Sequence, residues 1–430
     1  MFREKIKLFA GYLLISVLML TYFNCGDKGV ATPPPTGVKI MVKSSIDTSL
    51  VNGANVVLYN ANSGEALMRA ESGSDGIAEF TNLTEGSYYA RIAAQGYKEL
   101  PIGNVSPIPF QILKYEVSQQ TFYMDTLQGT FGTIDGYVDP AQAGFLVVAS
   151  SAVNGDLHSY SGPDGYFAIF NVPFNTYSVY AVKSGFNATD TALVNLTSGA
   201  PDANLQLAMS QTSGSTLTGM VTFLAVENGT VDVSLLDKNA LSVVSGLTTT
   251  INTDRNYTLN NIPNGEYTAW ASYKNDGYVM DPDWIFKNPG ALDVSIYSQS
   301  TLQLDFSVTG AISIVSPTNP DDEIIPALAD SNDPLFVWNP YPQAKEYIIE
   351  VKDMNGNIVW GGFDENGIIR HAQIPRTYSS IRFNFDGSAA AELQSGQVYQ
   401  WKIYADDDIL PNVQTLLSSS EDLKGLFITP

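Results

Sequence analysis

Side chains that usually carry catalytic or metal chemistry are scarce in this chain of 430 residues, which has two histidines, His158 and His371, and one cysteine, Cys25. Neither His has another His, a Cys or a carboxylate at the spacing of a zinc site, and a nucleophilic triad would have to be assembled from distant segments. The sequence has no Gly-rich phosphate loop leading into a helix and no Gly-x-Ser-x-Gly elbow. Acidic residues are abundant enough to supply a carboxylate pair for glycoside hydrolysis, but small strand-built units offer no deep cleft to hold a sugar between them. Two acidic clusters, Asp321-Asp-Glu323 and Asp406-Asp-Asp408, have the hard oxygens that calcium favours without the spacing of a calcium-binding loop, so they read as solvated loops. Asp353-Met-Asn-Gly-Asn357 alternates oxygen ligands but lies between two alternating segments, which makes it a hairpin turn. No catalytic residue, metal site or cofactor is therefore expected, and the chain reads as a non-enzyme.

Aromatic rings offer a different chemistry, since an exposed Trp or Tyr stacks on sugar rings. Trp270, Tyr273, Tyr278 and Trp284 fall close together. Strand alternation places Trp270 on a half-buried face with Thr268 and Ser272. Trp284, inside Asp281-Pro-Asp-Trp-Ile, reads as a loop residue. Trp284 with Tyr278 is thus the candidate glycan platform, against the simpler alternative that these rings pack in a core.

Charge limits the partners further. Lys and Arg total 22 against 44 Asp and Glu, a formal net charge of −22. That field repels phosphate backbones and no basic cluster interrupts it, so nucleic acid is excluded as a partner.

The elements that must position these residues follow a repeated frame. Asp75 to Tyr97 (DGIAEFTNLTEGSYYARIAAQGY), Asp164 to Phe186 (DGYFAIFNVPFNTYSVYAVKSGF) and Asp254 to Tyr278 (DRNYTLNNIPNGEYTAWASYKNDGY) share positions. Each places Asn (Asn82, Asn171, Asn261), then an aliphatic residue (Leu83, Val172, Ile262), then Tyr (Tyr88, Tyr177, Tyr267), and closes on Gly-Tyr or Gly-Phe. A long fixed period means tandem domains rather than one large core. Asp-Gly accepts positive φ and predicts a tight hairpin turn, after which Ala78 and Phe80 share a core face with Leu83 and Tyr88. Apolar content of 44% with only 15% charged residues suits short strands joined by many turns. The fold class is all-β: tandem antiparallel β-sandwiches.

Residues 1–24 begin with Arg3, Lys5 and Lys7 and continue into the apolar run Leu8 to Leu20, an export signal too short to span a bilayer comfortably. The solitary Cys25 behind it resembles the lipidated cysteine of bacterial lipoproteins, although Tyr22, Phe23 and Asn24 are bulkier than is usual there. That resemblance implies acylation of Cys25, a membrane anchor, and a place in the bacterial cell envelope, at the surface of the outer membrane. Cleavage without acylation and an uncleaved anchor are the alternatives. Residues 25–36, with three consecutive prolines, form an extended tether.

From Gly37 onward the initial strand, Gly-Ala-x-Val-x-Leu, Ser-Asp-Gly, Asn-Leu-x-x-Gly-x-Tyr and Gly-Tyr resemble the carboxypeptidase regulatory-like domain. The resemblance implies a transthyretin-like, Ig-like sandwich of about seven strands without catalytic apparatus, spanning 37–127, then 132–209, and in divergent form 214–308. Residues 311–430 change pattern. Leu335-Phe-Val-Trp338, Tyr347-Ile-Ile-Glu-Val351, Ile358-Val-Trp360 and Leu393-x-x-Gly396-x-x-Tyr399-x-Trp401 resemble bacterial fibronectin type III-like domains, which implies that two Trp residues and the Tyr line the space between sheets. Odd strand numbers and short connectors such as Ser210 to Ser215 predict a rod. The expected function is presentation and adhesion toward an extracellular protein or polysaccharide, with carbohydrate reading as the alternative.

Overall fold

The computed structural model describes residues 35–101, 107–188, 191–223, 231–251, 255–273, 277–280, 292–298, 300–320, 325–354, 356–364, 368–407, 416–421 and 423–430. Cys25 and Trp284 lie outside them, as do Asp321 to Glu323 and Asp408. Among the described residues there is no α-helix, and the fold is all-β, in tandem sandwiches.

The first sandwich contains β1 (Gly37–Ser44), β2 (Asn55–Asn60), β3 (Ala66–Glu71), β4 (Ile77–Thr81), β5 (Gly86–Ala93), β6 (Phe110–Ile112) and β7 (Val117–Met124). Its two sheets run β4-β1-β7 and β3-β2-β5-β6. Alternation sets the core: Val38, Ile40 and Val42 point inward from β1, and meet Val56 and Leu58 of β2 and Ala90 and Ile92 of β5.

The second sandwich uses β8 (Gly132–Asp139), β9 (Leu146–Ser151), β10 (Gly155–Tyr160), β11 (Tyr166–Val172), β12 (Thr176–Val182), β13 (Phe186–Ala188), β14 (Ala192–Asn195) and β15 (Asp202–Gln211). The third uses β16 (Ser215–Phe223), β17 (Val231–Asp237), β18 (Ser242–Ile251), β19 (Asn256–Ile262), β20 (Gly265–Tyr273), β21 (Tyr278–Met280), β22 (Asp293–Ile296), β23 (Thr301–Gln303) and β24 (Phe306–Gly310). Their sheets repeat the first plan: β11-β8-β15-β13 with β10-β9-β12-β14, and β19-β16-β24-β21 with β18-β17-β20-β22.

Most pairings are antiparallel, but the first and last strands of each of these sandwiches run parallel: β1 with β7, β8 with β15, and β16 with β23 and β24. The chain therefore comes into each sandwich at one pole and leaves at the other. In the second sandwich the two strands approach so closely at Gly136 that a Cβ there would lie 1.9 Å from the Leu205 carbonyl oxygen, and Gly219 of the third meets Leu304 oxygen in the same way at 1.8 Å.

The repeated residues have repeated jobs. Asn82, Asn171 and Asn261 all adopt positive φ, at 59°, 57° and 57°. Asn accepts that left-handed conformation better than most residues. Tyr88, Tyr177 and Tyr267 are buried, and each hydroxyl donates to a carbonyl four residues earlier, at Thr84 (2.8 Å), Pro173 (2.8 Å) and Pro263 (2.9 Å).

The Asp-Gly turn differs from expectation. It does not close a hairpin, because β3 and β4 belong to opposite sheets. It is a crossover, fixed by Asp75 Oδ1 accepting the Ile77 amide at 3.0 Å, and by the Val42 amide donating to Gly76 oxygen at 2.8 Å. The second and third sandwiches repeat the latter bond from Val138 to Gly165 and from Val221 to Arg255, both at 2.9 Å, so the backbone geometry survives the loss of Gly in the third copy.

In the C-terminal sandwich, the strands Glu346–Asp353 and Val398–Asp406 pair along their whole length, from Glu346 with Asp406 to Asp353 with Tyr399. Trp338, Trp360, Trp401, Tyr347 and Tyr399 lie in its core, with Phe336 4.8 Å from Trp401.

The expected rod is not what forms. The first and third sandwiches, which a rod would hold apart, touch: the Gly246 amide donates to Glu65 Oε1 at 2.9 Å. Tyr59, Tyr160 and Val182 join the apolar cluster that contains the third core. Ile108 of the first sandwich is 1% exposed against Leu423 and Leu426 of the last. Val57 and Tyr59 of β2 and Leu146 and Val148 of β9 join the cluster of the third core from the outer faces of their strands, so the continuous apolar runs Val56-Val-Leu-Tyr59 and Leu146-Val-Val-Ala149 carry part of this signal.

Candidate functional site

His158 lies between the second and third sandwiches, with Nε2 2.9 Å from Ser242 Oγ. Burial, and secondarily the Arg91 guanidinium, push its pKa down to about 3. A Ser beside a His resembles a catalytic pair, but an imidazole with so acidic a conjugate acid is a poor base near neutrality. Ser242 itself is 8% exposed. The pair acts as a joint between sandwiches. Asn55, Arg91, Glu99, Asp156, His158 and Ser159 help to line a cleft of about 200 Å³ between the first two sandwiches. Across the same boundary, Asn55 Nδ2 donates to Ser159 Oγ at 3.3 Å, and the Arg69 guanidinium lies over the Tyr166 ring at 4.6 Å.

His371 also serves the backbone. Its Nε2 accepts the Ile349 amide at 3.0 Å while Nδ1 faces Ala372 oxygen, which requires the neutral tautomer with the proton on Nδ1, and burial lowers its pKa accordingly. Asp353 closes a hairpin, with Oδ1 accepting the Asn357 amide at 2.8 Å and Oδ2 accepting Asn357 Nδ2 at 2.9 Å. Asp407 pairs with Lys345 at 3.7 Å. Among the described residues no three His, Cys, Asp or Glu side chains are grouped to hold a metal ion.

The proposed glycan platform is corrected at Tyr278. That ring is 4% exposed and packs edge-on against Phe223, with centroids 5.3 Å apart, because β21 joins β24 in the third core and turns the side chain inward. Open aromatics stand elsewhere on the same sandwich. Trp270 is 41% exposed and Tyr297 57% exposed. Strand parity explains both. On β20, Tyr267, Ala269 and Ala271 are buried, so Glu266, Thr268 and Trp270 face outward. On β22, Val294 and Ile296 are buried, so Asp293 and Ser295 face outward, with Tyr297 next in the same parity. The register Glu266↔Ser295 and Thr268↔Asp293 puts these residues side by side. The alternating run Asp293-Val-Ser-Ile-Tyr297 contained this signal, and sequence reasoning missed Tyr297.

Hydrogen bonds fix that outer face. Thr268 Oγ1 donates to Asp293 Oδ1 at 3.1 Å, and Lys238 Nζ approaches Asp293 Oδ2 at 2.7 Å. Ser295 Oγ and Tyr297 OH donate to the two Glu266 oxygens at 2.6 and 2.8 Å, and these bonds lower the Glu266 pKa. Beyond Trp270 toward β18, Ser234 Oγ and Thr248 Oγ1 are 3.0 Å apart. The turn end of β17 and β18 meets the second sandwich, where Tyr180 OH lies 3.1 Å from both Asp237 oxygens and Tyr160 OH donates to Val243 oxygen at 2.7 Å. On the β20 and β22 half, Trp270, Asp293, Ser295 and Tyr297 are exposed.

No family profile matches the chain, and no curated protein matches it. Solved structures similar to parts of it include a crystal structure of two B repeat units of the collagen binding protein of Staphylococcus aureus, at 12% identity and TM-score 0.19, covering 90% of this chain and 99% of that one. BcpA, the major pilin subunit of Bacillus cereus, matches at 13% identity and TM-score 0.18, covering 64% and 100%. The Bacillus anthracis TIE protein matches at 14% identity and TM-score 0.19, covering 64% of this chain and about half (51%) of its own length. These superpositions are loose, and the all-β assignment rests on the strand order and register above.

Proposed function

We propose that this chain is an exported, non-catalytic protein, anchored through an acylated Cys25 in the bacterial cell envelope, whose tandem sandwiches present interaction surfaces for adhesion to an extracellular protein or polysaccharide. Its units would be 37–127, 132–209 and 214–308 in carboxypeptidase regulatory-like form, followed by 311–430 in fibronectin type III-like form. One observation carries the reading: both histidines, His158 and His371, and the buried Asp237 are tied into joints between strands or sandwiches, while Trp270 and Tyr297 stand exposed on a polar sheet face. Such a molecule would bind through its surface. Several acyl chains at Cys25, each buried methylene contributing about 0.8 kcal/mol, would make the attachment stable.

The experiment is a Cys25→Ser exchange in cells producing the protein, followed by membrane fractionation and protease shaving of intact cells. The exchange should move the protein to the soluble fraction and abolish shaving of surface-held material. Unchanged membrane association of the variant would refute the anchor, and resistance of the wild-type protein to shaving would refute surface display.

A further inference from the structure

We infer that the open β20 and β22 face of the third sandwich is a binding strip for a neutral, linear polysaccharide, with Trp270 and Tyr297 as its terminal stacking platforms. This deepens the polysaccharide branch of the proposed function and rests on that reading.

The spacing is the first argument. Trp270 lies six positions along β20 from Asn264, the residue level with Tyr297 when the register Gly265↔Ile296 is continued. At a rise of ~3.3 Å per residue the two rings stand roughly 20 Å apart along one sheet face, room for several consecutive sugar rings.

The chemistry between the rings is the second. Glu266, Thr268, Asp293, Ser295 and Lys238 provide carboxylate, hydroxyl and ammonium groups already oriented by their mutual bonds, which suits the hydroxyl pattern of a sugar chain. The Tyr297 ring is itself held in place by its hydroxyl bond to Glu266. An aromatic at each end with hydrogen-bonding groups between them differs from an apolar patch, whose occupant would be another protein core.

Charge is the third. Among the described residues the strip holds two carboxylates, Glu266 and Asp293, against Lys238, on a chain whose formal charge is −22. Polyanionic glycans are repelled and neutral ones are not.

The test is affinity electrophoresis of the full chain lacking only its signal peptide, through gels containing hydroxyethylcellulose, galactomannan or arabinoxylan, with polygalacturonate as the anionic comparison. At least one neutral polymer should retard the protein more than polygalacturonate does. Trp270→Ala and Tyr297→Ala should each weaken that retardation about ten-fold, equivalent to about 1.4 kcal/mol. Tyr297→Phe should keep most of it because the ring remains, and Tyr278→Phe, inside the core, should leave it unchanged. Both platform residues are exposed, so unaltered thermal unfolding of the Ala variants verifies their fold. Lack of retardation by all three neutral polymers, stronger retardation by polygalacturonate, or full retardation of the Trp270→Ala, Tyr297→Ala double variant would each overturn the inference. Each of these outcomes leaves the Cys25→Ser fractionation result intact, so failure of the glycan strip and failure of surface anchoring are separable.

Discussion

Tyr88, Tyr177 and Tyr267 each bury a ring and return the hydroxyl to the backbone four residues earlier. Replacing any of them with Phe keeps the ring and leaves a carbonyl without its donor, so each variant should lose about 1 kcal/mol in denaturant unfolding. Gly136 makes a steeper demand. A methyl group at that position has no room beside the Leu205 carbonyl, so Gly136→Ala must separate β8 from β15 and should cost at least about 2 kcal/mol by the same measurement. His158 contributes to acid sensitivity. Its folded pKa of about 3 lies below the unfolded value, so the unfolded chain takes up the proton first. Stability present above about pH 6.5 is then lost progressively as pH falls toward 3. Asp237, whose pKa is raised chiefly by burial, acts in the opposite sense. His158→Gln should flatten the melting-temperature profile between about pH 6 and about pH 4, and a slope equal to wild type would assign the acid response elsewhere. At this scale the sequence was informative where a residue type answers a backbone need, as with Asn at positive φ. It was misleading at Tyr278, where composition marks an aromatic but only strand pairing says which way the ring points.

Strands and turns show where one conformation serves two topologies. The Asp-Gly pair announces a reversal of the chain, and the same local bonds suit a hairpin or a crossover. The partner decides: Val42 of β1 bonds to Gly76, so β4 leaves the sheet of β3. Parallel pairing of β1 with β7 was illegible for the same reason, since alternation fixes a strand's faces and not its neighbour's direction. The Asn turn illustrates a second use of a repeated element. Asn171 receives the Gly96 amide at 2.8 Å and donates to the Ala94 and Tyr97 carbonyls, both at 2.8 Å, so it fastens the first sandwich to the second. Asn82, the same turn residue in the first copy, is exposed. Gly keeps the positive φ but removes the side chain. Asn171→Gly should therefore cost about 1–3 kcal/mol and speed hydrogen exchange at Gly96, whereas Asn82→Gly should be near neutral.

The whole molecule is more folded in on itself than its tandem sequence suggests. Short connectors and repeated units predicted extension on the order of 100 to 150 Å. Tyr160 against Val243, Glu65 against Gly246 and Ile108 against Leu423 and Leu426 draw the sandwiches together instead. Small-angle scattering should show a maximum dimension well short of that length, and Ile108→Asp should increase it by releasing the first sandwich from the last. A particle as long as four sandwiches end to end would contradict these contacts. The parallel pairing of terminal strands bears on a surface-held molecule in another way. Tension drawn along the chain pulls β1 and β7 in opposite directions from opposite poles. The paired residues from Gly37 with Val117 to Ser44 with Met124 then bear the load together, in shear, and cannot be peeled apart one at a time. A protein tethered at one end and gripped at the other would meet drag with its strongest mechanical geometry.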